Sequence, residues 1–260
     1  MPRFPRQLRP AVLGIILAAL CLHTRGDRTA QPRPAVTPAN KPHIILWAWE
    51  EPEDLRTADT HSVGVAFLAE RVFIGNEVSV IPRRQRILVP QGIWAEAVFR
   101  IEPGAEFQDD PAIRQATADA ILNAAHLPGL RAVQVDFDAA QSQRAFYAGV
   151  LRRVRAGLPP GERLEITALV SWCSQSEGWL HALPIDAAVP MDFRLGRHIG
   201  DWGTREPLCA DDIGIATDEP SNWPEIVNQT IYVFAPRPFT GPQLALLNQG
   251  KIPNDLKGAR

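Results

Sequence analysis

Short runs of hydrophobic residues, either continuous or alternating with polar positions, recur along the chain from His43 onward. Runs of this length, bounded by turn residues, are typical of β-strands. The pattern predicts eight strands, at His43–Trp49, Val63–Leu68, Ala97–Glu102, Ala132–Asp138, Leu164–Trp172, Ala188–Arg194, Ile213–Asp218 and Thr230–Ala235. Eight is the number of strands that a closed parallel barrel requires.

Helical patterns lie between several of these runs. Asp109–Pro111 predicts a helix start, with an acid at the cap and proline at the first helical position, and Leu127–Gly129 predicts its end. A second helix carries an apolar stripe from Phe146 to Val154 and ends before Pro159. Weaker helices are predicted at Glu51–Asp59, Gln175–Leu183, Asn222–Asn228 and Pro242–Asn248.

One segment departs from the alternation of strands and helices. Arg71–Ile74 and Val78–Ile81 flank the turn residues Gly75–Glu77, which predicts a β-hairpin. Alternation elsewhere favours a barrel over a sandwich. The predicted fold is therefore α/β: an irregular (β/α)8 TIM-like barrel with a β-hairpin inserted between strands 2 and 3.

The N-terminus has the pattern of an export signal. Three arginines precede the apolar run Ala11–Leu22, which is shorter than the about 20 residues of a membrane span. A cleaved signal peptide is predicted, with an uncleaved anchor or a lipid-modified Cys21 as alternatives. The predicted organisation is a signal peptide or anchor at 1–22, a flexible linker at 23–41, a single barrel domain at 42–250 and a tail at 251–260. We expect an exported protein, periplasmic or secreted.

Export would place Cys173 and Cys209 in an oxidising compartment. Each closes a predicted strand or loop, and we expect a disulfide between them, which would stabilise the fold by roughly 3–4 kcal/mol in the chain-entropy model. Two buried thiols are the alternative.

The composition and charge limit the kinds of partner that we expect for this chain. With 260 residues, 45% of them hydrophobic, the chain can form one large core or two small ones. The formal net charge of -2 does not favour a nucleic-acid partner, which normally needs a basic face. We expect a monomer without a cofactor, which meets a membrane only through an uncleaved N-terminal segment. The spacing of Cys and His matches no zinc site.

Acidic residues lie on one face of the fourth predicted strand. Since alternate side chains share a face, Gln134, Asp136 and Asp138 point one way and the apolar residues between them the other. Burying two carboxylates without partners is costly. In a barrel this face would look toward the axis at the C-terminal mouth, where such enzymes hold their chemistry. A solvated edge strand is the alternative.

Three further strands carry polar groups near their C-terminal ends. The residues predicted to surround one mouth are Arg100, Glu102, Asp136, Asp138, Asp192, Arg194 and Asp218. Carboxylates close together cannot all ionise freely, so one pKa should rise while a neighbour's stays low. Glycoside hydrolysis needs this condition. A structural network neutralised by the two arginines is one alternative; a divalent ion held by Glu102, Asp136 and Asp138 is another.

The chain's seven tryptophans suit the apolar faces of sugars. Trp172, in the corner Ser171–Cys173, is the best candidate for stacking on a sugar at the mouth.

Several segments, taken together and in order, resemble a known family. They are Val133–Ala139, Ile166–Leu169 followed by Ser171–Cys173, Ala188–Met191, Pro207–Cys209, Ile215–Pro220 and Tyr232–Phe234 with Pro236–Pro238. The combination is similar to a bacterial family of uncharacterised proteins, domain of unknown function 3142, over roughly His43 to Phe239. The resemblance implies a glycosidase-like TIM barrel in an exported protein. A weaker likeness is to chitinase-type barrels, whose fourth strand ends in a catalytic glutamate; the matching position in this sequence is Ala140.

We therefore predict hydrolysis of glycosidic bonds in a carbohydrate polymer or oligosaccharide. Asp138 or Glu102 would be the general acid and Asp136 the ionised partner. The predicted substrate-binding residues are Arg100, Gln134, Trp172, Asp192, Arg194, Asp218 and Glu219. A non-catalytic polysaccharide-binding barrel of the cell envelope is the main alternative, and a tethered scaffold whose acids form only an ionic network is another.

Overall fold

The computed structural model describes residues 40–174, 178–195, 205–219 and 229–252. The strands within these ranges are β1 (Ile44–Ala48), β2 (Glu53–Asp54), β3 (Val63–Ile74), β4 (Val78–Pro82), β5 (Ile87–Leu88), β6 (Trp94–Pro103), β7 (Leu130–Asp136), β8 (Arg163–Leu169), β9 (Ala187–Met191), β10 (Asp212–Ala216) and β11 (Thr230–Phe234). Eight of them, β1, β3 and β6 to β11, are parallel and lie side by side in chain order. The barrel closes because β1 pairs with both β11 and β3. The predicted barrel and its eight strands are confirmed.

The predicted hairpin between barrel strands 2 and 3 is also confirmed, since β4 pairs antiparallel with the end of β3. The segments Val63–Leu68 and Arg71–Ile74, predicted separately, form one strand of 12 residues. Its pairing with β6 skips a residue: Leu68 lies opposite Val98 and Glu70 opposite Phe99, which leaves Ala69 as the extra residue of a bulge.

Three α-helices lie within the described ranges: α1 (Pro111–Ala125), α2 (Arg144–Gly157) and α3 (Gly241–Leu247). They confirm the two strong predictions and the last of the weaker ones. The Asp110 carboxylate caps α1 by accepting a 2.7 Å hydrogen bond from the backbone N of Ala112. The hairpin strand β4 and the helices α1 and α2 thus flank the barrel, whose other connections are irregular.

The helix predicted at Glu51–Asp59 is wrong, because its backbone pairs with another segment as β2 against β5. Within Gln175–Leu183 the described residues form only a short 3-10 helix, Leu180–Ala182. Residues 175–177 and the helix predicted at Asn222–Asn228 lie outside the described residues, as do the predicted signal segment, nearly all of the linker and most of the tail. No helix in the described ranges is long and apolar enough to cross a membrane.

Hydrophobic residues fill both sides of the barrel wall. Outside, residues such as Phe99 and Val135 pack against α1 and α2. Inside, Trp47 and Tyr232 lie 5.1 Å apart between ring centroids. Gly214 makes room for Trp47, because a Cβ at this position would lie 2.5 Å from its Cη2 atom.

A disulfide joins Cys173 to Cys209, with their Cα atoms 5.8 Å apart. It connects the 3-10 turn after β8, Val170–Cys173, to the 3-10 turn before β10, Pro207–Cys209. The predicted bridge is confirmed.

Candidate active site

Four of the predicted site residues meet at the C-terminal ends of β6 and β7. Arg100, Glu102, Asp136 and Asp138 line a cavity of about 330 Å³ together with the neighbouring residues of these two strands. Arg100 and Asp136 are paired across the strands. The alternation of side chains along these two strands therefore predicted correctly that the four residues lie on the same side of β6 and β7.

Asp136 forms the buried part of this group. Its carboxylate accepts a 2.6 Å hydrogen bond from Thr167 Oγ1 on β8, and its Oδ2 atom lies 3.2 Å from Arg100 Nη1. Burial raises the pKa of Asp136; Arg100 and Thr167 oppose this effect, and the Asp138 and Glu102 charges add to it. The prediction made Asp136 the ionised partner, but its burial favours the protonated form.

The pKa of Glu102 is shifted in the opposite direction. Arg71 donates two hydrogen bonds to it, from Nε at 2.7 Å and from Nη2 at 2.9 Å. These bonds, with further attraction from Arg71 and Arg100 and against partial desolvation, lower the pKa of Glu102. A carboxylate held in this way is a poor proton donor, which argues against Glu102 as the general acid.

Arg71 was missed by the sequence analysis because of the bulge at Ala69. Simple alternation from Leu68 would send Arg71 to the outside of the barrel. The extra residue reverses the phase, so that Arg71 pairs with Arg100 and takes the same face. Thr167 was also missed as a partner of Asp136, although it has the interior phase of β8.

Asp138 is exposed and lines the cavity with Asp136. It lies in a turn beyond the end of β7, in which the backbone N of Ala139 donates a 2.7 Å hydrogen bond to the carbonyl oxygen of Phe137. The cavity thus brings together one exposed carboxylate, one buried carboxylate and one that is ion-paired.

Trp49 provides an aromatic ring beside this cavity. It is partly exposed, and the Arg100 guanidinium carbon lies 5.8 Å from the centre of its ring. The Arg83 side chain fixes the backbone around it by donating to the carbonyl oxygens of Ala48, Trp49 and Glu51.

Trp172 does not lie in the cavity. Only 3% of it is exposed, and it packs edge-on against Trp179 with 4.9 Å between ring centroids, in the core outside the barrel. Its predicted stacking on a sugar finds no open ring face, because the ring is buried in this cluster.

Gln134 lies inside the barrel below Asp136. Its Oε1 atom accepts a 2.8 Å hydrogen bond from Trp47 Nε1, and its Nε2 atom has no hydrogen-bond partner among the described residues. The side chain is fully buried, so its predicted contact with substrate would need a group that reaches below the mouth.

Arg194, Asp218 and Glu219 form a separate group. Arg194 lies 2.8 Å from Asp218 and 3.3 Å from Glu219, and its backbone N donates to the Glu219 carboxylate at 2.9 Å. The structure thus places these predicted site residues in mutual ion pairs, outside the lining of the cavity.

Asp192 lies out of phase with the interior. Val189 and Met191 pack inside the barrel, so the alternation along β9 gives the next position to the other side. The predicted placement of Asp192 at the mouth is therefore not supported by the strand's phase.

A second charged group lies at the opposite, N-terminal end of the barrel. Lys41 Nζ lies 3.0 Å from Glu165 Oε2 and 2.9 Å from Asp212 Oδ2. Arg163 Nε lies 2.8 Å from the other oxygen of Glu165. Burial opposes ionisation of Glu165, but Lys41 and Arg163 together lower its pKa.

Glu96 is the least compensated acid of this group. Burial and then repulsion from Glu165 raise its pKa to about 8. Tyr232 Oη lies 2.9 Å from Glu96 and 2.7 Å from Glu165. Because the phenol has one proton to donate, this arrangement fits a neutral Glu96 that donates to the phenol, which in turn donates to Glu165.

Among the described residues no group of three or more His, Cys, Asp or Glu side chains is arranged to hold a metal ion.

No protein-family model and no curated protein matches the chain. Among solved structures, the crystal structure of the Bacillus cereus spore cortex-lytic enzyme SleL matches with 17% identity and a TM-score of 0.45. The match covers 68% of this chain and 50% of that chain, so this chain spans about half the length of SleL. A likeness at this level carries no argument about activity, and the resemblance to domain of unknown function 3142 stays a prediction.

Proposed function

We propose that this protein hydrolyses glycosidic bonds of a carbohydrate polymer bound across the C-terminal mouth of the barrel. The observation that supports the proposal most is the cavity between the ends of β6 and β7, which is lined by three carboxylates in different environments. Glycoside hydrolysis needs a proton donor for the leaving oxygen and an ionised carboxylate for the attacking water or the sugar.

Asp138 is the proposed general acid, because it is the exposed carboxylate and can reach a bound sugar. Glu102 is the proposed base, because Arg71 keeps it ionised. Asp138 gives its proton to the glycosidic oxygen as the bond from that oxygen to the anomeric carbon breaks. Glu102 takes a proton from the water whose oxygen bonds to that carbon, and exchange with solvent then restores both groups.

Asp136 is a positioning residue in this scheme. Its hydrogen bonds from Thr167 and Arg100 fix the end of β7, next to the exposed acid. Trp49 takes the place predicted for Trp172, because its partly exposed ring beside Arg100 offers a surface for the apolar face of a sugar.

Export is part of the proposal. The Cys173–Cys209 disulfide supports it, because such bonds persist in oxidising compartments.

The test is an assay for new reducing ends on a panel of cell-wall and storage polysaccharides, with the full chain and the variants Asp138→Asn and Glu102→Gln. We expect each variant to lower turnover at least 100-fold, the usual scale for losing acid or base catalysis. Asp119→Asn is the matched control, because Asp119 lies on the exposed face of α1 and is expected to leave activity unchanged. Thermal unfolding shows that each variant is folded. Full activity of folded Asp138→Asn would refute the mechanism.

A non-catalytic polysaccharide-binding barrel is the second candidate. The observation in its favour is Ala140, which leaves the next in-phase position after Asp138 without a carboxylate. Retention of the protein on an insoluble polysaccharide, with no new reducing ends from any member of the panel, would support binding over hydrolysis.

A further inference from the structure

A second cavity, of about 240 Å³, lies beside the first one and is not used by the proposed reaction. It is bordered by the middle of β3, the hairpin strand β4 and the segment that follows it. Three arginines, Arg71, Arg83 and Arg84, line it against a single acid, Glu50. We call it the arginine cavity. Its excess of positive charge contrasts with the carboxylates of the neighbouring cavity.

The three arginines differ in how far their charge is already used. Arg71 is shared between Glu102 and Glu50, whose Oε1 atom lies 3.4 Å from Arg71 Nη1. Arg83 donates from Nε, Nη1 and Nη2 to backbone carbonyl oxygens; the Glu53 and Glu50 charges attract it, but among the described residues it has no ion pair. Arg84 is exposed and has no hydrogen bond or ion pair within the described part of the chain. Arg84 therefore offers the guanidinium that a ligand in the cavity could neutralise.

The floor of the arginine cavity is apolar. Leu68, Ile81 and Pro82 line it, and Ile81 is 43% exposed. An apolar surface beside guanidinium groups suits a ligand with a flat apolar face and a carboxylate or phosphate, because guanidinium binds both oxyanions with two hydrogen bonds. A sugar unit that carries an acidic group has both features.

The two cavities are neighbours along the mouth. Arg71 lines the arginine cavity, and its hydrogen bonds go to Glu102, which lines the other one. Arg71 on β3 is paired with Arg100 on β6, which is paired with Asp136 on β7. Two strand spacings of about 4.8 Å separate Arg71 from Asp136, roughly 10 Å in all. This separation fits different sugar units of one polymer.

From this arrangement we infer that the arginine cavity is a subsite for an acidic sugar unit, so that the preferred substrate is an anionic polysaccharide. The inference deepens the proposed function and names the class of its substrate. Binding energy from this subsite would come from a part of the polymer that does not react.

The experiment measures binding of the full chain, carrying Asp138→Asn to prevent cleavage, to three polymers: a polyuronate, a phosphate-bearing polymer and a neutral glucan. We expect binding to at least one anionic polymer to exceed binding to the neutral glucan and to fall with added salt. The first two polymers distinguish a carboxylate from a phosphate as the recognised group. Equal affinity for all three would overturn the inference.

Arg84→Gln gives the matched test at the subsite. We expect it to weaken binding of the anionic polymer about threefold to tenfold at low salt and to leave the neutral glucan unaffected. Arg152→Gln, at an exposed position on α2, is the control for removing one positive charge elsewhere. If the two variants have equal effects, only net charge matters and the subsite is refuted. These binding results stand apart from hydrolysis, so a failed cleavage assay alone would not decide them.

Discussion

Glu96→Gln is a direct test of the charge state at the base of the barrel. The amide oxygen of glutamine can accept the 2.7 Å hydrogen bond that Trp94 Nε1 now donates to Glu96. Its NH₂ group can donate to Tyr232 Oη, which now lies 2.9 Å from the second carboxylate oxygen. Tyr232 can still donate to Glu165. The variant therefore keeps the shape and the hydrogen bonds of a protonated Glu96.

The size of the effect follows from the pKa of Glu96, which burial raises from 4.5 to about 8. Between these values the folded protein binds more protons than the unfolded chain, so the stability of the wild type falls as the pH rises. Each pH unit in this window is worth about 1.4 kcal/mol. From about pH 5 to about pH 8 the loss due to Glu96 is roughly 3–4 kcal/mol, a large part of a total of about 5–15 kcal/mol.

The assay is urea unfolding of wild type and variant at pH 5 and pH 8 with the disulfide intact. We expect similar stability at pH 5, and at pH 8 a variant more stable by about 3 kcal/mol. Burial also raises the pKa of Glu53 to about 7 and of Asp212 to about 6, so both proteins share a further decline that cancels in the comparison. Glu77→Gln in the exposed hairpin turn is the control. A difference that does not change with pH would mean that Glu96 is ionised in the folded protein, and it would refute the reasoning.

Two further predictions concern the packing of the fold. The double variant Cys173→Ser, Cys209→Ser should be less stable by about 3–4 kcal/mol, because the bridge spans a sequence separation of 36 residues. Urea unfolding of the wild type with reductant should show the same loss of stability. An unchanged unfolding midpoint of the double variant would contradict this prediction. Gly214→Ala should cost about 1–3 kcal/mol, because its Cβ would lie 2.5 Å from Trp47 Cη2. Gly241→Ala, where a Cβ meets open space, is the control, and equal thermal midpoints for the two variants would show that Trp47 moves aside freely.

Alternation of side chains along strands was enough to predict the barrel and one wall of the site. All eight strands follow from runs of apolar residues, and the placement of Arg100 and Asp136 near one another follows from their positions near the strand ends. Each residue's neighbours in sequence determine its face, as long as the strand is regular.

The rest depended on tertiary contacts. The sequence has no signal for the bulge at Ala69, so Arg71 could not be assigned to the mouth. Trp172 ends a predicted strand, but in the fold it lies in a 3-10 turn and is buried against Trp179. Glu165 shares the phase of Thr167 and could have been found by testing the N-terminal strand ends as well. Lys41 precedes every predicted strand, and only closure of the barrel brings it to Glu165 and Asp212.

The bulge in β3 also decides which charge lies on the inner face of the barrel after Leu68. If the same sequence ran without it, Glu70 instead of Arg71 would follow Leu68 on the inner face, and an anion would replace a cation there. Loss of Ala69 would straighten the strand and leave the guanidinium where it is. Arg71 thus faces the inside of the barrel both with the bulge and after deletion of Ala69, and only a regular strand of unchanged length would turn it outward.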